Sequence, residues 1–245
     1  MISRSGDTCA YPKCGRKLSA SANTDGDLPK ATGKVAHICA ASPGGPRYVE
    51  SMTAAERGSA DNLIYLCGPH HDIIDSQLQL HTVEFLRDAK REHEAAVARA
   101  LRAALGQVTY EELGVVCTVL ASAQPDDPAD ILELALPLRD KIELNRLGPA
   151  SVQRITDGLS QAGRVGEFVT FQNRTTSAFG RRLVARFKSD YHGAIADGLG
   201  PDEIFDYLVE RAYENAGSRD TPAIRAAALS VIAYLFELCE VFERE

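Results

Sequence analysis

Hydrophobic residues along this chain follow two rhythms, and the change between them falls near Thr82. Beyond that point Phe85, Leu86, Ala89, His93, Ala96, Val97, Ala100, Leu101 and Ala104 recur at three- and four-residue steps. That spacing lays one stripe along a helix of about six turns, ending near Gly106. Thr109-x-x-Glu112 then has the spacing of a capping box and opens an apolar helix through Leu120. A polar, proline-bearing loop is expected at 124–128. Further helices are expected over roughly 129–145, 150–162, 175–197, 201–216 and 221–243.

Before Thr82 the rhythm is short and broken. Residues 1–8 are polar and are expected to be mobile, and residues 18–31, rich in Ser, Ala, Asp, Asn and Gly, read as a loop. Residues 34–40, with Val35 and Ile38, and residues 63–66 read as two short strands. The Pro/Gly cluster at 43–46 demands a surface loop between them. Thr53-x-x-Glu56 has capping-box spacing for a short helix, and Pro69 suits the first turn of a helix that follows the second strand.

Charge sharpens the division. The formal net charge is −7, but residues 1–105 carry 13 Lys/Arg against 12 Asp/Glu, while residues 106–245 carry 14 against 22. The first part can approach a phosphate backbone; the acidic second part is a poor surface for DNA. A balance so close to zero gives weak intrinsic DNA affinity, so delivery by a partner would be useful. No run of 18 apolar residues and no basic-then-apolar leader occurs, and the expectation is a soluble cytoplasmic protein without membrane contact.

Four of the six cysteines, Cys9, Cys14, Cys39 and Cys67, crowd into the first 67 residues, while Cys117 and Cys239 sit in helical apolar patterns. That split favours a metal over a disulfide framework. Cys9 and Cys14 form Cys-x4-Cys, with Gly15 permitting the turn, and Cys67 and His70 form Cys-x2-His. Soft thiolates and an imidazole in two close pairs suit a tetrahedral structural Zn²⁺ that clips two distant segments together. The competing reading is unrelated thiols and a surface imidazole, which needs four coincidences. Cys39 reads as a small core residue, and His81, His93 and His192 carry no constellation.

Around these pairs runs the order His37, Asn62, His71. The flanking segments are His37-Ile38, Ser42-Pro43-Gly44-Gly45-Pro46-Arg47-Tyr48, Glu56-Arg57-Gly58-Ser59, Asn62-Leu63-Ile64 with Leu66-Cys67, and His70-His71 with Ile74-Asp75. Over roughly residues 5–95 this resembles the HNH endonucleases, whose ββα-metal motif often carries a zinc knuckle. The resemblance implies a metal-dependent enzyme hydrolysing double-stranded DNA, with catalytic His37, Asn62 and His71. His37 is the general base, since a near-neutral imidazole suits proton abstraction. Asn62 holds the motif, by bonding the His37 backbone or ring. His71 binds a catalytic Mg²⁺ or Mn²⁺, which Asp75, one helical turn on, can share. Arg47 is a candidate phosphate contact. One departure stands out: many family members place a further metal ligand just before the base, where this chain has Ala36.

The second half resembles the C-terminal domain of effectors in ABC-type three-component anti-phage systems, the group that includes Lamassu. The matching segments are Asp140-Lys141-Ile142-Glu143-Leu144-Asn145-Arg146-Leu147, Phe187-Lys188-Ser189-Asp190-Tyr191, Ile204-Phe205-Asp206-Tyr207-Leu208 and the apolar run from Val231 through Phe236 to Cys239-Glu240. That resemblance implies docking on an SMC-like ATPase and accessory defence subunits, and it is compatible with a homo-oligomer. The expected fold class is an α+β ββα-metal (HNH) domain with a zinc knuckle over 1–80, a connecting helix over 81–106, and an all-α docking domain over 107–245. A catalytically silent zinc module and a nucleotide-activated nuclease are the rival readings.

Overall fold

The computed structural model describes residues 2–20, 30–122, 136–214, 221–239 and 242. The chain divides into two compact units, Met1–Arg99 and Ala100–Glu245.

In the first unit α1 (Ile2–Ser5) precedes β1 (Ser19–Ala20) and β2 (Lys30–Ala31), which pair antiparallel. Next come β3 (Lys34–His37), α2 (Ala54–Gly58), a 3₁₀ turn (Ala60–Asn62), β4 (Leu63–Leu66) and α3 (Gly68–Ser76). β3 and β4 form a second antiparallel pair in the register Lys34 to Leu66 and His37 to Leu63, and α3 lies against β3. Two strands and a helix are thus assembled across a long excursion between His37 and Leu63. Their core joins Ile38, Cys39, Ile64, Tyr65, Leu66 and Ile74 to Leu86 and Ala89 of α4 (Val83–Leu105).

The second unit is helical throughout its described residues: α5 (Tyr110–Ser122), α6 (Leu138–Leu144), α7 (Pro149–Leu159), α8 (Ala162–Thr175), α9 (Phe179–Ala196), α10 (Pro201–Glu214) and α11 (Pro222–Leu238). α11 is buried along most of its length, from Ile224 to Phe236, because it is apolar on every side. α5, α7, α8, α9 and α10 all pack against it. The alanines at 226–228 are buried, and Gly158 of α7 meets the same helix at Leu229 and Ala233. A Cβ at that position would lie 2.7 Å from the Ala233 Cβ and 2.8 Å from the Leu229 carbonyl. Thr221 caps α11 by accepting from the Ile224 N–H at 3.2 Å, with Pro222 in the first turn.

The far end of α11 is held by an ammonium. Lys141 of α6, fully buried, donates to the carbonyls of Phe236 (2.9 Å) and Cys239. A cation there satisfies carbonyls left over at a helix C-terminus. Asn145 donates to the Phe242 carbonyl at 2.5 Å. Arg154 of α7 pairs with Asp206 of α10.

Several expectations are corrected. Residues 2–5 form a helical turn, and Ser5 and Asp7 are buried. The Leu18 N–H donates to the Asp7 carbonyl at 2.9 Å, the Ser19 hydroxyl binds the Asp7 carboxylate, and His93 reaches the Ser5 carbonyl at 2.8 Å. The loop expected at 18–31 has paired ends, and its residues 21–29 lie outside the described residues. The helix expected over 129–145 is α6 alone where it is described; 129–135 and the loop at 124–128 lie outside. The helix expected over 175–197 starts at Phe179, after Ala178 in the left-handed region. α8 was not expected at all. The tails of the last two expected helices, 215–216 and 240–241 with 243, also lie outside. No helix among the described residues is long and apolar enough to cross a membrane.

Candidate metal centre and active site

The first arm of the metal centre is a tight hairpin. Thr8 bridges to Lys17, the Cys9 N–H donates to the Arg16 carbonyl at 2.9 Å, and the Cys14 N–H donates to the Tyr11 carbonyl at 3.0 Å. Lys13 and Gly15 both take positive φ, 60° and 61°, to turn the chain back. Glycine holds that conformation without the steric cost an L side chain carries. The second arm is a strand-to-helix junction. Cys67 is the N-cap of α3 and His70 lies three residues on, in the first turn that Pro69 helps to start.

The arms meet through the Ala10 N–H donating to the Tyr65 carbonyl at 3.0 Å and the Cys67 N–H donating to Cys9 Sγ at 3.3 Å. His70 Nδ1 lies 3.2 Å from Cys67 Sγ and 3.6 Å from Cys9 Sγ. One ligand atom from each of Cys9, Cys14, Cys67 and His70 falls within 4.8 Å of all the others. A zinc tetrahedron with Zn–S near 2.3 Å has sulfur–sulfur edges of about 3.8 Å, so this cluster has the chemistry and the size for such an ion. Among the described residues it is the one group of three or more such ligands.

The local electrostatics agree with a cation site. Burial pushes the Cys9 thiol up to about 12. Burial also raises Cys67, but the His70 backbone N–H and the Cys9 and Cys14 side chains bring it below its ordinary value. Burial, then the charge of Arg16, lowers His70 and favours the neutral imidazole that metals bind.

Tyr11 stacks on His70 with centroids 3.9 Å apart and planes 4° from parallel. Its hydroxyl lies 3.0 Å from Nε2 of the fully buried His81. His81 Nδ1 lies 3.0 Å from the Gln77 carbonyl, which can only accept, so Nδ1 donates there and Nε2 is the atom that meets Tyr11. This outer support is what a ligand imidazole needs to keep its orientation. Sequence reasoning gave His81 no role. An aromatic inside Cys-x4-Cys was the available hint; nothing in the spacing led to His81.

His37 ends β3 and is partly buried, while Ala36 beside it faces the core. Buried Asn62 locks the backbone that follows. Its Oδ1 accepts from the Cys39 N–H at 2.9 Å, its Nδ2 donates to the Cys39 carbonyl at 2.8 Å and the Arg57 carbonyl at 2.9 Å, and its own carbonyl accepts from the Ile38 N–H at 2.8 Å. The expected partner was His37 itself; the observed partner is the Cys39 backbone, two residues on. Cys39 is a fully buried core residue.

His71 follows His70 on α3 and is partly buried, with Nδ1 3.2 Å from Asp72 Oδ1, which also accepts from Lys34 Nζ at 3.2 Å. The Lys34 hydrogen bond, then that of His71, lowers the Asp72 carboxyl. Nδ1 is therefore engaged, and Nε2 is the atom His71 can offer an ion. Asp75 lies on the same helix, where its Oδ1 accepts from Arg47 Nη2 at 2.7 Å. Arg47 was expected at a phosphate. Its side chain is 6% exposed, and its other donors go to the carbonyls of Ile38, Ile74, His81 and His37. The zinc-type ligands are thus brought together; His37, His71 and Asp75 form no comparable cluster.

No curated protein and no solved structure matches the chain. Residues 111–243, more than half of the chain, match the family model of C-terminal domain 10 of the ABC-three component (ABC-3C) systems, and the chain belongs to that family.

Proposed function

We propose that the chain is the DNA-cutting subunit of an ABC-3C defence system: an HNH-type, metal-dependent endonuclease whose helical unit docks on an SMC-like ATPase and accessory subunits. The observation that carries this reading is the β3–β4–α3 assembly closed by the four-ligand cluster. It presents His37 at a strand end, with the backbone after it locked by Asn62. It presents His71 on the helix whose first turn carries the cluster's imidazole, His70.

In this reading Cys9, Cys14, Cys67 and His70 hold a structural zinc. His37 takes the proton of a water as its oxygen attacks phosphorus, and the opposite P–O bond breaks. His71 holds a Mg²⁺ or Mn²⁺ through Nε2, oriented by Asp72 on Nδ1. When bound, that ion neutralises the phosphate and stabilises the leaving oxygen, and it keeps much of its own water. Nothing on the described surface resembles a base-reading helix, so DNA without strong sequence preference is the expected substrate. The ABC-3C domain supports the docking role.

A second reading, a silent zinc module, is favoured by Ala36 at the position of a further metal ligand. Plasmid cleavage decides between them, with wild type and His37→Ala in Mg²⁺, Mn²⁺ or EDTA, alone and with partner subunits. Metal-dependent cutting lost in His37→Ala supports the nuclease. Equal silence of both proteins in every combination, with zinc bound one to one, sinks it.

A further inference from the structure

We infer that Arg47 is a positioning residue, an internal bracket that fixes the strand end carrying His37 against the end of α3, with Asp75 as its anchor and not a ligand of the catalytic ion. This rests on the nuclease reading for its catalytic consequence, and on geometry alone for its structural one.

An arginine offers five N–H donors in a rigid planar fork. Here each nitrogen is directed at protein. Nε donates to the Ile38 carbonyl at 2.8 Å, Nη1 to Ile74 at 2.7 Å and His81 at 3.4 Å, and Nη2 to Asp75 Oδ1 at 2.7 Å and His37 at 3.4 Å. Five contacts for five hydrogens leave no donor for a phosphate. The side chain is almost wholly enclosed, unlike the solvated head of a DNA-contacting arginine. Its backbone sits at φ 55°, a left-handed conformation uncommon outside glycine, directly after Pro46.

The acceptors belong to three segments. Two are the carbonyls of His37 and Ile38 at the strand end. The N–H groups of Ile38 and Cys39, on the same short stretch, are taken by Asn62. The backbone around His37 is thus held on its carbonyl side by Arg47 and on its N–H side by Asn62. Ile74 and Asp75 belong to the last turn of α3, where carbonyls lack partners within the helix and a cation is favoured. His81 is the residue that supports Tyr11 over His70. One side chain therefore joins the strand of the proposed base, the helix of the proposed metal ligand and the outer support of the zinc cluster. Asp75 Oδ1 is spent on this bracket.

The test uses the full chain with its partner subunits, in plasmid cleavage and in hydrogen exchange, comparing wild type, Arg47→Lys, Asp75→Asn and Asp75→Ala. Lysine keeps the charge but cannot span three segments. Arg47→Lys is expected to lower kcat roughly 100-fold, the scale of a misplacement near 1 Å, with KM for plasmid, salt dependence of binding and one zinc per chain kept. Asp75→Asn, which keeps an oxygen for Arg47, is expected to recover most of the kcat lost in Asp75→Ala. In Arg47→Lys the amides of Ile38, Cys39, Ser76 and Gln77 are expected to exchange about tenfold faster, with Phe236 and its neighbours unchanged.

A raised KM and a shallower salt slope with kcat intact would make Arg47 a phosphate contact and overturn the bracket. Asn at 75 as damaging as Ala, with a higher Mn²⁺ requirement in both, would return Asp75 to the ion and overturn its part. Unchanged exchange at those four amides overturns the bracket whatever the activity. If the wild type cuts nothing yet Arg47→Lys loosens those amides, the bracket stands and the nuclease reading falls.

Discussion

The two units are held together by different physics. The second owes its shape to one apolar helix: among the described residues 34 buried apolar ones form a continuous core about α11. The first has 13 such residues among those described and adds directed bonds, namely those of Asn62 and Arg47, beside the four-ligand cluster. Small cores do not offset the entropy of ordering a chain, and metals or dense polar networks commonly supply the remainder. Directed bonds bring a second benefit, because they fix where a side chain points. A hydrophobic core tolerates exchange among apolar residues of equal volume, whereas a locked amide has one geometry.

The largest effect is expected from stripping the four-ligand cluster of the zinc proposed for it. A strong chelator, or Cys14→Ala, is expected to unfold the first unit, since structural zinc in small domains contributes on the order of 10 kcal/mol. The second unit should keep its helices and melt cooperatively. Hydrogen exchange with mass spectrometry separates the two; collapse of both together would mean that the second unit also depends on the cluster.

Phe236→Ala tests the opposite side. Phe236 is fully buried near Phe205 and Phe242. Its truncation should cost the second unit about 3–5 kcal/mol and leave zinc stoichiometry untouched, as denaturant titration and metal analysis would report.

The smallest effect concerns the entry to α5. The Thr109 hydroxyl holds the Glu112 carboxyl below its ordinary value of 4.5, with hydrogen bonds of 2.6 and 2.8 Å from Thr109. A carboxylate whose folded value is depressed adds stability above pH 4.5 and loses it as pH falls through the lower folded value. Fraying of α5 on acidification should therefore be steeper in wild type than in Glu112→Gln. Removing the cap with Thr109→Ala should cost about 1 kcal/mol at neutral pH. Equal acid sensitivity in all three proteins would remove the capping box from the account.

What was legible in the sequence follows from the same contrast. Patterns written in local spacing read well: the α4 stripe, the 63–66 strand, both capping boxes and the pairing of Cys9 and Cys14 with Cys67 and His70. α8 escaped because Gly163, Gly166 and the β-branched Val165, Val169 and Thr170 dilute its helical signal, while only Val165 and Phe168 are buried. Its helicity comes from packing on α9 and α11. Asn62 was singled out, but its partner was not, since a side-chain amide can reach any nearby backbone. The carbonyls around Arg47 were not legible, because an arginine beside a Pro/Gly loop gives no sign of which backbone groups will surround it. The role of His81 depends wholly on a tertiary meeting with Tyr11.

The place of α11 in the chain sets a schedule for synthesis. Every ligand of the four-residue cluster has been translated by residue 70 and the whole first unit by residue 99, so that unit can fold while the ribosome is still making helices. The second unit cannot do the same. The helix that α5, α7, α8, α9 and α10 pack against follows all of them, and until it emerges they expose the apolar faces meant for it. At elongation rates of about 5–20 residues per second, the 133 residues from Gly106 through Leu238 take on the order of ten seconds. Through that interval each nascent chain carries a finished first unit on an unfinished second.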